Sequence, residues 1–288
     1  VQAALRLECT GNRVDVKALT ENGASVLPIF KSQCPDGVTC VDSTDTSVTL
    51  LCEPADAQLD EDSRLKSASV MDTLRIIVKK ITPIRQHPHA LFLGGVFAYD
   101  MLAGFESLPH VEDGDNDCPD FVFYLAETLI TVDHQTRETH LIGSVFSGED
   151  VAQQYFGISQ RLESLHQQLQ SMPETPTLTS GTGIDGAGID DAVIGGDISV
   201  SVDKSDEEFC DNVLELKQHI LAGDIFQVVP SRTFSLPCPS PLLAYAHLKE
   251  QNPSPYMFYM QDEAFTIFGA SPESALKYES ESNQVEIY

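Results

Sequence analysis

Three stretches of the chain set polar side chains into or beside apolar runs, where they could carry chemistry. In Ala222-Gly-Asp-Ile-Phe-Gln-Val-Val-Pro-Ser-Arg232, Gln227 interrupts an apolar strand pattern. An amide in such a place needs hydrogen-bond partners, either within the core or from a ligand. In Phe268-Gly-Ala-Ser-Pro-Glu273, Glu273 follows Pro272 where a strand breaks. Its carboxyl reads either as a turn cap or as an acid held in a cleft with a raised pKa, able to deliver a proton. The third stretch, Asn252-Pro-Ser-Pro-Tyr-Met-Phe-Tyr259, joins a proline-stiffened turn to an aromatic strand.

The elements that must position these residues can be read from periodicity. Position 205 is a serine N-cap with Glu208 three residues on, followed by apolar Phe209, Val213, Leu216 and Ile220 on one face and Gly223 as terminator, which predicts a helix with a capping box. A buried strand is expected over 225–229 and a helix from Ser240-Pro241 to about 250. A meander of short antiparallel strands is then expected at 256–260, 265–268, 275–278 and 285–288. Upstream, Leu5, Leu7, Cys9 and Val14, Val16, Ala18 alternate about Thr10-Gly11-Asn12, a hairpin with one buried face. Helices are expected at 23–34, at 67–81 with Val70, Leu74, Ile77, Val78 and Ile81 inward, and at 150–170. Strands are expected at 47–52 and 91–99, with a hairpin at 121–132 and 138–146.

The stretch 171–200 holds six glycines among Thr, Ser and Asp, too little apolar area to offset its ordering entropy, and is expected to be a linker or long surface loop. The domains are accordingly 1–170, the linker 171–200 and 201–288. The class is α+β, with mostly antiparallel sheets packed with helices.

The 288 residues hold 44 Asp plus Glu against 17 Lys plus Arg, a net charge of −27, with 42% apolar residues. A field of that sign repels polyanions, so neither nucleic acid nor an anionic membrane is an expected partner. No run approaches the roughly 18 apolar residues of a membrane span, and the first residues lack a signal-peptide layout, so a cytoplasmic location is expected. The seven cysteines are scattered without a C-x-x-C pair and are expected to be reduced and mostly buried. Asp113, Asp115 and Asp117 look like the start of a calcium loop, but Cys118 stands where that loop needs Gly, and no Glu follows at its twelfth position. They read as a solvated acidic loop, and His87 and His89 as surface residues. Phosphate-loop, serine-elbow and dinucleotide fingerprints are absent.

Together with Val96-Phe-Ala-Tyr-Asp100 and Cys118-Pro-Asp-Phe-Val-Phe-Tyr-Leu-Ala-Glu-Thr128, the three stretches resemble the chorismate-utilising enzymes, and among them the large-subunit (component I) family of bacterial anthranilate synthases. The likeness covers nearly the whole chain outside 171–200. It implies the chorismate-binding fold and addition of ammonia to C2 of chorismate, with loss of the C4 hydroxyl and elimination of pyruvate to leave anthranilate. By this resemblance Glu273 is the general acid for the departing hydroxyl. Gln227 lies in the substrate pocket near C2, where water-adding relatives carry a basic Lys. Asn252, Pro253, Ser254, Pro255, Tyr256 and Met257 belong to a tryptophan feedback site. The resemblance further implies Mg2+, with its ligands beyond Tyr288 and no metal site within this chain, and a glutamine amidotransferase subunit as partner.

The chain starts at Val1 inside an alternating pattern and stops at Tyr288 inside Gln284-Val-Glu-Ile-Tyr288, so a piece of a longer protein is expected, with an incomplete catalytic domain and no activity alone. Leu50-Leu-Cys-Glu53 is a poor substitute for the family's Leu-Leu-Glu-Ser element. Two other readings stand beside the first: the large subunit of 4-amino-4-deoxychorismate synthase, or a non-catalytic module that binds tryptophan and docks a partner.

Overall fold

A computed structural model describes residues 2–54, 59–85, 87–104, 118–172 and 199–287. The chain forms two compact units, Val1–Pro173 and Glu174–Tyr288.

In the first unit, β1 (Gln2–Thr10) and β2 (Arg13–Ala18) form the expected hairpin, with Leu7 opposite Val16 and Cys9 opposite Val14. Short helices α1 (Glu21–Ala24) and α2 (Leu27–Ser32) follow, then β3 (Val38–Ser43), β4 (Ser47–Cys52), α3 (Glu61–Leu65), α4 (Met71–Lys80) and β5 (Leu93–Phe97). After one 3-10 turn at Tyr99–Gly104 come β6 (Phe121–Asp133), β7 (Glu138–Gly143) and the long α5 (Val151–Ser171). The strands make one antiparallel sheet in the order β3-β4-β2-β1-β6-β5, with β7 also paired to β6.

Period-two alternation sends Leu5, Leu7, Cys9, Val14, Val16, Val48 and Leu50 to one face, all fully buried, where they meet Val26, Leu27 and Phe30 from around α2 and Leu74, Ile76 and Ile77 from α4. Each such aliphatic side chain contributes about 1.5–3 kcal/mol by leaving water. The sheet is crossed closely by α1, since a Cβ at Gly23 would collide with the Ala4 carbonyl oxygen.

The helix expected at 23–34 is instead two helices. Pro28 lies in the first turn of α2 and has no N–H to continue the α1 ladder, so the chain restarts there. The inward face of α4 also differs from the expected one: Thr73, Leu74, Ile76 and Ile77 are buried and Val78 is 62% exposed. Thr73 takes a core position because its hydroxyl donates to Val70 O at 2.6 Å, which satisfies it within the turn.

A polar knot ties α1, β6, the chain after β7, and α5. Glu127, 2% exposed on β6, accepts from Thr20 Oγ1 at 2.6 Å and Asn22 Nδ2 at 3.1 Å, and pairs with Arg161 of α5 at 2.5 Å. Asn22, also fully buried, donates to Ser144 O and accepts from the Phe146 N–H, so the cluster is satisfied on every side.

The second unit contains β8 (Ser201–Val202), α6 (Asp206–Ala222), β9 (Phe234–Ser235), α7 (Pro241–Gln251), β10 (Tyr256–Gln261), β11 (Thr266–Ser271), β12 (Lys277–Glu279) and β13 (Gln284–Glu286). The capping box is formed: Glu208 N–H donates to Ser205 Oγ at 3.2 Å and Ser205 N–H to Glu208 Oε2 at 2.7 Å. Gly223 closes α6 at φ +83°, a left-handed value suited to glycine.

Two expectations are corrected here. Residues 225–229 are irregular and largely exposed, with Phe226 fully so, because no described strand offers them a hydrogen-bond ladder. The four C-terminal strands do not form one meander but two separate antiparallel pairs, β10 with β11 and β12 with β13. The expected linker lies outside the described residues over 173–198, as do Asp113, Asp115, Asp117 and Tyr288.

Candidate functional site

The candidate site is built on the β10–β11 hairpin and the turn that feeds it. Proline at the start of α7 costs no intrahelical bond, and the helix ends at Asn252, whose N–H still reaches Leu248 O at 2.8 Å. Pro253 and Pro255 then prevent continuation, and the chain enters β10 at Tyr256. Asp262 secures the far end of the hairpin: its N–H donates to Phe265 O at 2.8 Å and its Oδ1 accepts from Ala264 N–H at 3.0 Å. Tyr245 of α7 packs against Tyr259 and Phe268 of the hairpin, with centroids 5.5 and 6.0 Å away.

The register fixes what faces what. Tyr256 lies opposite Ser271 and Met257 opposite Ala270. The proline turn Asn252–Pro255, with Tyr256 and Met257, is therefore brought alongside Ser271-Pro272-Glu273 at the open end of the same ladder. Ser271 Oγ donates to the Glu273 carbonyl at 2.8 Å and closes that turn. Glu273 itself is exposed, so the cleft expected around it is not formed by the described residues.

Gln227 lies four residues after Gly223 in the irregular segment, exposed and outside any strand, which corrects its expected place in a buried strand. The chain after it is anchored at Arg232, whose guanidinium donates to Asp206 Oδ1 at 2.6 Å and stands 4.8 Å over the Phe234 ring. Beside it, Asp203 accepts from the Thr233 N–H at 2.9 Å. That bond, with Lys204, holds its carboxyl below the usual range. Sequence reasoning passed over both Arg232 and Ser271. For Arg232 the available signal was an aromatic two residues on, which puts both side chains on one face of an extended segment.

Among the described residues no group of three or more His, Cys, Asp or Glu is arranged to hold a metal ion. His87 and His89 are exposed, and the His89 N–H donates to His87 Nδ1 at 3.1 Å. All seven cysteines are free thiols, but only Cys9 and Cys52 are buried. Cys118, Cys210 and Cys238 are exposed, against the expectation of mostly buried thiols. Among the described residues no helix is long and apolar enough to cross a membrane.

Comparison with known proteins adds to this geometry. Residues 37–287 match the family described as chorismate binding enzyme. Over its full length the chain is 46% identical to anthranilate synthase component 1 of Salmonella typhimurium and of Vibrio cholerae, and 44% identical to that of Escherichia coli, covering 52% of each. The chain thus spans about half the length of the curated relatives it matches. Among solved structures, anthranilate synthase component I from Streptococcus pneumoniae superposes with a TM-score of 0.61 at 17% identity, over 97% of this chain and 51% of that one. That likeness supports the mixed architecture of antiparallel sheets and helices.

Proposed function

Because the chain belongs to the chorismate binding enzyme family, we propose that it is part of an anthranilate synthase component I, which converts chorismate and ammonia to anthranilate and pyruvate in tryptophan biosynthesis. The observation that carries the reading is the pairing of Tyr256 with Ser271, which sets the proline turn beside the Ser-Pro-Glu turn, in a chain 46% identical to relatives bearing that name.

In this reading Glu273 protonates the departing C4 hydroxyl. A carboxylic acid stays protonated near neutral pH only when shielded from water. Glu273 is exposed, so substrate packing over the turn must supply the shielding. Gln227 faces the C2 side. An amide cannot accept the proton that water addition would release, whereas ammonia needs no base to activate it, so the residue type favours amination over hydration.

Asn252 to Met257 form part of a tryptophan feedback site, where two prolines hold the backbone stiff beside Tyr256 and Met257 and an indole can stack without a large ordering cost. Ordering that turn would bias β10, and through its ladder the strand that carries Glu273, which is a physical route for inhibition. Ammonia comes from a glutamine amidotransferase subunit, and the protein works in the cytoplasm. The magnesium ion implied by the resemblance finds no ligand set among the described residues. Magnesium therefore enters the proposal as a requirement of the whole enzyme, and no step is routed through it.

The test uses the full-length product of the gene with chorismate, ammonia and magnesium, following anthranilate fluorescence and pyruvate release. Glu273→Gln should lower kcat by roughly 10²–10⁴-fold, the usual worth of a positioned general acid. Substitution of Met257 should weaken inhibition by tryptophan. Formation of isochorismate or 4-amino-4-deoxychorismate in place of anthranilate would overturn the reading, and unchanged inhibition in the Met257 variant would remove the tryptophan assignment.

A further inference from the structure

We propose that Ser271 is a positioning residue for Glu273, an inference that rests on the function proposed above. Ser271 is the last residue of β11, with its Cα opposite Tyr256, and its hydroxyl donates to the Glu273 carbonyl at 2.8 Å. Between the two stands Pro272, whose nitrogen carries no proton and whose ring holds φ near −65°. Pro272 itself offers no N–H, and the serine hydroxyl supplies a hydrogen bond across the turn.

The bond ties the acid's main chain to a strand end that is itself held in register by β10. It sets the direction in which Glu273 leaves the sheet. Residues 272 and 273 are both exposed, so this bond is a constraint on the turn that packing over those two residues does not duplicate among the described residues.

The other serine beside the acid behaves differently. Ser274 Oγ is buried and has no hydrogen-bond partner among the described residues. Of the two hydroxyls flanking Glu273, only that of Ser271 constrains the turn. Ser271 need not touch chorismate for this role; it acts through where it holds the acid, and misplacement of a catalytic group by about 1 Å can cost up to about a hundredfold in rate.

The experiment is steady-state kinetics of the full-length gene product with chorismate and ammonia, alongside thermal melting. Ser271→Ala should lower kcat roughly ten- to a hundredfold while KM for chorismate stays within about twofold. Ser271→Thr, which keeps the hydroxyl, should restore most of the rate. A purely structural role would move the melting midpoint and both kinetic parameters without rescue by Thr. The inference is overturned if kcat of Ser271→Ala stays within about twofold of the parent, or if Thr fails to rescue. Should the Ala variant not fold, Ser271→Cys keeps the volume and weakens the donor, and is read by the same two outcomes. Glu273→Gln in the same assay separates the levels. If that variant retains full turnover, the functional reading fails; if it is inactive while Ser271→Ala is normal, only this inference does.

Discussion

Residues 2–172 bury Leu5, Leu7, Phe30, Leu50, Ile77, Phe121 and Leu125 completely or nearly so, while among the described residues of 199–287 no large apolar side chain is buried and Phe226, Val229 and Leu221 are 101%, 80% and 79% exposed. Yet the second unit has well-made local structure: a complete capping box, a left-handed glycine terminator and a registered hairpin. Caps and turns arise from neighbours in sequence and form without a core. Burial needs partners far along the chain, and β1 has one in β6. In the first unit the described long-range contacts are buried apolar packing, whereas in the second they are hydrogen bonds at the surface, such as Arg232 to Asp206 and Thr233 to Asp203.

The largest effect that would sharpen this contrast is kinetic. Burial, together with Asp120 and Cys52, pushes the Cys9 thiol up to about 12, and burial pushes Cys52 up to about 11. Relative to an ordinary thiol at 9.0, the thiolate fraction of Cys9 at neutral pH falls on the order of a thousandfold. Alkylation followed by mass spectrometry should label Cys210, Cys238 and Cys118 first, and Cys9 and Cys52 only on unfolding. Equal labelling of all seven would break the comparison.

Next in size is a core truncation. Phe30→Ala should destabilise the first unit by about 3–5 kcal/mol in urea unfolding, whereas Ile220→Ala, at a side chain 42% exposed, should cost under about 1 kcal/mol. Glu127→Ala follows at about 1–3 kcal/mol, since it strips a partner from Thr20, Asn22 and Arg161, although Arg161 is 38% exposed and can turn to water. Ser205→Ala should cost about 1 kcal/mol of α6 stability, read by amide exchange in that helix.

The smallest effect is on pH dependence. A hydrogen bond from Arg13, with a second from Thr49, holds the Asp15 carboxyl below its ordinary value despite some desolvation. Its folded pKa is depressed, so its contribution is complete above the unfolded value of 3.8 and is lost as pH falls through the folded one. Asp15→Asn should flatten the acid limb of the stability profile by no more than about 0.2–1 kcal/mol, because the pair is exposed.

Much of the fold was legible in the chain because its signals are short-range. The β1–β2 alternation, the β4 span, the hairpin of β6 and β7, and the box at Ser205 and Glu208 all rest on residues at most a few positions apart. Elements that depend on a distant partner were not legible. The run 225–229 has the composition of a buried strand but pairs with no described strand. Thr73 entered the core through a side-chain bond that hydropathy cannot register.

The sequence by itself determined the α+β class, the start and stop of α6, and the three stretches whose likeness pointed to the chorismate-binding family, since each is a matter of residue type at fixed local spacing. Only the structure decided that the proline turn and the Ser-Pro-Glu turn share one end of a ladder, because strand register sets Tyr256 opposite Ser271. It also decided that Glu273 and Gln227 stand exposed. Exposure depends on what packs over a residue, and no local pattern encodes that.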